Sequence, residues 1–246
     1  MMEVTKELTE RIKANADKVR ANIAEACREA GRDPSEVTLI GVSKVFPVEY
    51  AAAAVMGGLN DLGENRVQEL VPKIETLAVN KLDPRWHLIG TLQRNKVKYI
   101  IGKTYLIHSV NTLELAEEIS KRSAAAGIVT DILLQGNISG EESKHGFTPE
   151  ELKSAVEAVS AMEGVRMRGL MTMAPIETAP GQARPVFERT RDIFEELKST
   201  VKDPSCWDTL SMGMSGDYKE AIAAGSTCVR IGTAIFGDRK ALQSQI

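Results

Sequence analysis

Lys44 closes an apolar run, Val37-Thr38-Leu39-Ile40-Gly41-Val42-Ser43, and is followed by Val45-Phe46-Pro47. The run reads as a strand buried on both faces, which Pro47 stops from continuing. A lysine amine held among apolar groups loses part of its hydration. Its pKa falls, and the neutral amine becomes a nucleophile toward aldehydes. Lys44 is therefore the leading candidate for a Schiff base.

The other end of the chain supplies an anion site. Ser211-Met212-Gly213-Met214-Ser215-Gly216-Asp217 is followed, after one more apolar run, by Gly232-Thr233-Ala234. Glycines let backbone N–H groups approach an anion, and the hydroxyls of Ser211 and Thr233 add donors. Ser215 is placed to cap a helix running to about Ala224, with Gly225 as its terminator, and a helix N-terminus favours an anion. The plainer alternative is that Gly213 and Gly216 are turn glycines and Ser215 only a cap. Arg230 lies between Val229 and Ile231, so if those two pack against helices it points to the opposite face. A guanidinium there stays charged and needs an acceptor. That acceptor is either an acid such as Glu64 or a ligand held opposite Lys44.

Other polar residues fall near predicted strand ends. His87 and His108 read as core histidines or as ligand contacts. Asn65, Ser109 and Asn137 are candidates for lining the same mouth. The three histidines and three cysteines show neither metal-ligand spacing nor a CxxC pair, so no metal site is expected. Met167, Met171 and Met173 read as barrel packing. Lys144 and His145 sit on a charged loop beside Glu141 and Glu142.

The elements that must position these residues alternate along the chain. Apolar runs at 38–43, 59–63, 86–90, 105–110, 131–137, 165–171, 208–212 and 227–232 are each followed by a helix candidate or a short helical pattern. Eight such units in about 210 residues, with no break in composition, predict a single (β/α)8 TIM barrel over 1–246. An open doubly wound sheet would show a glycine fingerprint after its first strand, which is missing. An extra N-terminal helix carries Val4, Leu8, Ile12, Val19, Ile23 and Cys27 at helical spacing. It would cover the N-terminal mouth or flank the outer ring. Asn111-Thr112-Leu113-Glu114 resembles a capping box, and Thr148-Pro149-Glu150-Glu151 orders a cap, an N1 proline and an N3 acid. The long loops at 138–147 and 174–185 both follow strands and belong at the C-terminal mouth.

Composition narrows the class. Hydrophobic residues make up 43% of 246, enough for a core without disulfides, and the three cysteines are widely spaced. With no signal or transmembrane segment in view, a cytoplasmic protein is expected. A net charge of −3 with interspersed signs does not indicate a nucleic-acid surface.

Six blocks together resemble the pyridoxal-phosphate homeostasis protein family (YggS/PROSC-like). They are Gly41-Val42-Ser43-Lys44, Gly63-Glu64-Asn65-Arg66-Val67-Gln68-Glu69, Trp86 to Lys96, Ser143-Lys144-His145-Gly146, Leu210 to Asp217, and Val229 to Gly237. The likeness runs over nearly the whole chain; Thr91 departs from it, standing where a proline or histidine is expected. It implies a barrel similar to the N-terminal domain of alanine racemase. It implies pyridoxal 5′-phosphate bound as an internal aldimine at Lys44, with the phosphate held by Ser211, the Met212 backbone, Gly232 and Thr233. Arg230 matches the arginine that faces the pyridine nitrogen.

An arginine there only donates, so the ring nitrogen stays unprotonated and is a weaker electron sink. Racemisation also needs a second acid/base, which alanine racemase takes from another domain. That domain is not expected here, and Tyr50, Tyr99, Tyr105 and Tyr218 fall at no predicted strand end. The reading is therefore a pyridoxal-phosphate carrier or buffer with little or no turnover, a monomer, with apo-enzymes as the partners that accept the cofactor. A low-activity amino-acid racemase is the alternative. A Schiff-base aldolase acting on a phosphorylated sugar is the third.

Overall fold

The computed structural model describes residues 2–141, 145–175 and 181–238. Eight parallel strands close on themselves: β1 (Thr38–Val42), β2 (Asp61–Glu64), β3 (Arg85–Leu88), β4 (Leu106–Val110), β5 (Thr130–Gln135), β6 (Val165–Met171), β7 (Thr209–Ser211) and β8 (Cys228–Ile231). Each strand pairs with its successor, and β8 pairs with β1 in a register that sets Ile40 beside Arg230. The fold is the expected (β/α)8 barrel. The strands were legible because both faces are buried, one under the helix layer and one in the lumen, so each reads as a short, mostly apolar run.

The helices are α1 (Lys6–Glu29), α2 (Val48–Met56), α3 (Val67–Val79), α4 (Leu113–Ala125), α5 (Pro149–Ser160), α6 (Arg184–Leu197), α7 (Tyr218–Ala223) and α8 (Thr233–Phe236). Between β3 and β4 the helical pattern is a short 3-10 segment, Arg94–Tyr99, in which only Val97 is buried. One buried side chain is too little to hold a full α-helix against the sheet. The extra helix α1 lies in the outer ring, not across a mouth. It packs on α2, α7 and α8, and Asn15 Nδ2 donates to the Ile235 carbonyl at 3.0 Å. It takes the place that the four-residue α8 is too short to fill.

Two cap assignments move. In α4 the cap is Thr112, which accepts from Leu115 N, so Glu114 is not its reciprocal partner. In α7 the cap position belongs to Asp217, not Ser215, and Asp217 Oδ1 accepts from Met214 N. The box at Thr148 and Glu151 forms as its sequence predicts.

Leu39, Leu62, Leu88, Ile107, Leu134, Leu170, Leu210, Val229 and Ile231 point outward into the layer under the helices. Inside the barrel, apolar packing is confined to two small groups. One is Ile40, Val42 and Cys228 with Ile89; the other is Leu106, Leu133 and Met171 with Met173. His87, His108, Ser211 and Arg230, also buried, alternate with the outward set and occupy the rest of the lumen.

Candidate functional site

Lys44 follows β1 in a turn that is tied down on every side. Ser43 N–H donates to the Gly63 carbonyl at 3.1 Å, and Phe46 N–H closes the turn on the Ser43 carbonyl. That carbonyl also accepts from Lys73 Nζ at 2.9 Å. Ser43 Oγ and Lys73 Nζ both donate to Glu64 Oε1, each at 2.6 Å. Val45 N–H donates to Glu69 Oε2 at 2.8 Å. Val45 itself has φ of 63°, a left-handed conformation that a β-branched residue adopts only when its surroundings impose it. The strain falls on the residue next to Lys44, whose side chain is half-buried. Burial holds the Glu64 carboxyl above its ordinary value, against the opposing pull of Lys73.

Opposite this turn, the β7–α7 loop and the start of α8 form a rim. Gly213 has φ of 97°, and a Cβ there would lie 2.7 Å from the Ala221 side chain, so the loop passes close over α7 only as glycine. Among the described residues, the N–H groups of Ser215, Gly216, Gly232 and Thr233 have no protein acceptor. On the neighbouring side, a Cβ at Gly90 would meet the Asn65 carbonyl at 2.4 Å. Glycine at 90 thus lets the Asn65 backbone settle over the end of β3.

Arg230 lies beneath, 5% exposed. Nη1 donates to Ser211 Oγ at 2.6 Å and Nη2 to the Thr172 carbonyl at 2.9 Å. Its expected structural partner Glu64 is engaged by Lys73 instead, and no carboxylate among the described residues contacts the guanidinium. Burial lowers its pKa from the ordinary arginine value. Two of its five N–H groups are accounted for, which leaves donors for something else.

Lys44, Asn65, Ser215, Gly216, Arg230, Gly232 and Thr233 line one cavity of about 300 Å³ at the C-terminal mouth, with Val42, Ile89, Met173 and Met214 as its apolar wall. Ser211 and Met212 are not part of this lining. Ser211 is fully buried under Arg230, and Met212 N–H is taken by the Cys228 carbonyl at 3.1 Å. The rim N–H groups come from Ser215 and Gly216 instead, because strand β7 carries Ser211 inside the barrel wall. His87 is a core histidine, bonded to Asp61 and His108 at 3.0 Å each. Ser109 donates to the Gly90 carbonyl at 2.6 Å, and Asn137 Nδ2 to the Glu141 carbonyl at 3.0 Å. Both sit outside the cavity lining. His145 is described, with its carbonyl accepting from Gln135 Nε2, whereas Glu142, Ser143 and Lys144 lie outside the described residues.

Sequence reasoning missed the Glu64–Lys73 pair that braces the lysine turn. Lys73 sits mid-helix in α3, and helical spacing alone does not show that its amine reaches back 30 residues to Ser43. Nothing among the described residues groups three metal-binding side chains.

Residues 14–240 match the alanine racemase, N-terminal domain family. A protein of Aquifex aeolicus described as a pyridoxal phosphate homeostasis protein is 44% identical over 223 residues, covering 91% of this chain and 96% of its own. The chain belongs to the pyridoxal phosphate homeostasis protein family. A solved relative, PipY of Synechococcus elongatus with PLP bound, superposes with a TM-score of 0.76 at 33% identity, covering 87% of this chain and 100% of that one. An alanine racemase of Clostridium difficile superposes with a TM-score of 0.70 over 93% of this chain and 57% of its own. At 16% identity that likeness concerns the barrel alone. The family resemblance read from the six blocks is thereby borne out, as is the racemase-like barrel.

Proposed function

We propose that this protein holds pyridoxal 5′-phosphate covalently through the Lys44 amine and serves cofactor homeostasis as a carrier or buffer with little turnover. One observation carries the reading. Among the described residues, Arg230 is a buried cation with no contacting carboxylate, and it shares a cavity of about 300 Å³ with Lys44 and with four backbone N–H groups that lack protein acceptors. A buried guanidinium left without an anion or polar ligand is costly. The description of the Aquifex aeolicus relative and the PLP in PipY support the same ligand.

The residues fit the group. When bound, pyridoxal phosphate supplies an aldehyde that condenses reversibly with amines. Lys44 is the only amine in the lining among the described residues. Ser215, Gly216, Gly232 and Thr233 present N–H groups to a phosphate. Arg230 donates and cannot accept, so an aromatic nitrogen facing it keeps its lone pair and gains no proton. That weakens the electron sink on which most such enzymes depend. Among the described residues, the lining contains no tyrosine, histidine or carboxylate to move a second proton. Both features favour storage and hand-over to apo-enzymes over turnover.

Equilibrium titration with pyridoxal 5′-phosphate tests this. The expected result is one equivalent bound with a visible absorption band, the band lost in Lys44→Ala. Bound cofactor should pass to an added apo-enzyme, and a panel of amino acids should show no turnover at ordinary enzymatic rates. A colourless complex, or rapid racemisation, contradicts the reading.

A further inference from the structure

The barrel lumen holds an unbroken row of hydrogen bonds from one mouth to the other. Arg230 Nη1 meets Ser211 Oγ at 2.6 Å, Ser211 Oγ meets His108 Nδ1 at 2.9 Å, His108 Nε2 meets His87 Nδ1 at 3.0 Å, and His87 Nε2 meets Asp61 Oδ1 at 3.0 Å. Arg230 lines the cavity at the C-terminal mouth. His87 and Asp61 line a separate cavity of about 250 Å³ at the N-terminal end of the strands.

The two ends dictate every proton in between. Asp61 only accepts, so a neutral His87 carries its single proton on Nε2. Its bare Nδ1 then accepts from His108 Nε2–H. The bare His108 Nδ1 accepts from the Ser211 hydroxyl, whose oxygen accepts from Arg230. Every link has one donor and one acceptor in this direction. In the reverse direction a bare His87 nitrogen would face the Asp61 carboxylate. Arg230 cannot accept a proton, so the row is not a conduction path but an oriented brace.

The groups around the row are consistent with neutral histidines. Burial, with His87 and Arg230 adding to it, holds His108 well below the ordinary histidine value. Burial lowers His87 as well, although Asp61 pulls the other way. Arg85 donates to the second Asp61 oxygen, and the Tyr105 ring stands edge-on to His87 at 5.4 Å. Glu36, Arg168 and Asp208 line the N-terminal cavity with them, and Arg168 is paired to Asp131 and Asp208. Cys228 lines the N-terminal cavity too and lies beside Ser211, its thiol pushed up to about 12 by burial, and Asp217 acts on Arg230 from the rim loop.

We propose that Asp61, His87, His108 and Ser211 are positioning residues for Arg230, a hydrogen-bond row of single direction that fixes which guanidinium donors face a ligand in the cavity. The proposal rests on the ligand-facing role given to Arg230 above.

The test begins with the ligand-free protein. Nitrogen-15 NMR of the imidazole rings, with three histidines to assign, should show His87 and His108 both as Nε2–H tautomers that do not titrate between about pH 5.5 and 8. In Asp61→Asn, Arg85 keeps the amide oxygen, so the amide nitrogen faces His87 Nε2 and donates to it. Both histidines should then switch to Nδ1–H, His108 included, although it does not touch position 61. A His108 that is unchanged in this variant, or protonated in the parent, overturns the row. The second arm loads pyridoxal 5′-phosphate. Ser211→Ala should weaken binding about tenfold and shift the visible band of the bound protein, and Ser211→Thr should restore both. Binding and spectrum unchanged in Ser211→Ala overturn the positioning role. A parent protein that takes up no pyridoxal phosphate overturns the function proposed above, while the tautomers still decide the row.

Discussion

A guanidinium taken out of water costs several kcal/mol unless partners surround it. Arg230 has two neutral partners, Ser211 Oγ and the Thr172 carbonyl, and no carboxylate among the described residues within contact. The balance predicts a trade between stability and binding. Arg230→Met should leave thermal stability equal or higher, while the dissociation constant for pyridoxal 5′-phosphate rises by tenfold or more, about 1.5–3 kcal/mol for a lost charged hydrogen bond. Differential scanning calorimetry and spectroscopic titration check the two halves. A large loss of stability with unchanged affinity would make Arg230 a structural residue. That Arg230 faces inward was legible from Val229 and Ile231 on either side of it. What it touches was not: strand alternation assigns a face, and only the closed ring brings Ser211 and Thr172 to it. For the same reason His87 was readable as buried, but its bonds to Asp61 and His108 were not.

At the scale of the element, the β1–α2 turn depends on a residue from α3. Lys73 Nζ holds both the Ser43 carbonyl and Glu64 Oε1. Lys73→Met leaves a buried carboxylate unpaired and should cost about 3–5 kcal/mol by denaturant unfolding. It should also loosen the Lys44 turn and lower the occupancy of the site. Combining it with Glu64→Leu should recover most of the stability, because removing both charges removes the penalty. If the double variant is no better than the single, the pair is not what braces the turn. The cap at Thr148 offers a plainer check, since Thr148→Ala should cost about 1 kcal/mol. Strands and long helices were readable because their periodicities are carried by many residues. The short pieces were not. The 3-10 segment 94–99, the four-residue α8 and the cap of α7 are each decided by one or two contacts with the rest of the barrel.

Across the whole molecule, the lumen histidines tie stability to pH. His87 and His108 are both held below the ordinary value, about 6.5, mainly by burial. As pH falls below that value the unfolded chain takes up protons that the folded chain refuses. Stability is therefore fully present above it and is lost as pH falls toward the depressed folded values. The slope is up to about 1.4 kcal/mol per pH unit for each histidine. His108→Asn should lessen the slope by about half in urea unfolding followed between about pH 5 and 7. An unchanged slope would show that His108 is not buried neutral. No helix among the described residues is long and apolar enough to cross a membrane. The closed ring also explains the site itself, since it brings residue 44 and residues 215–233 to one mouth although most of the chain separates them.

The claim beneath the proposed function is that the Lys44 amine is the attachment point. Protein loaded with pyridoxal 5′-phosphate, reduced with borohydride, digested and read by mass spectrometry tests it. The expected result is one pyridoxyl-modified peptide, containing Lys44 and absent from Lys44→Ala. Modification spread over surface lysines, or a single modified peptide elsewhere, would contradict it.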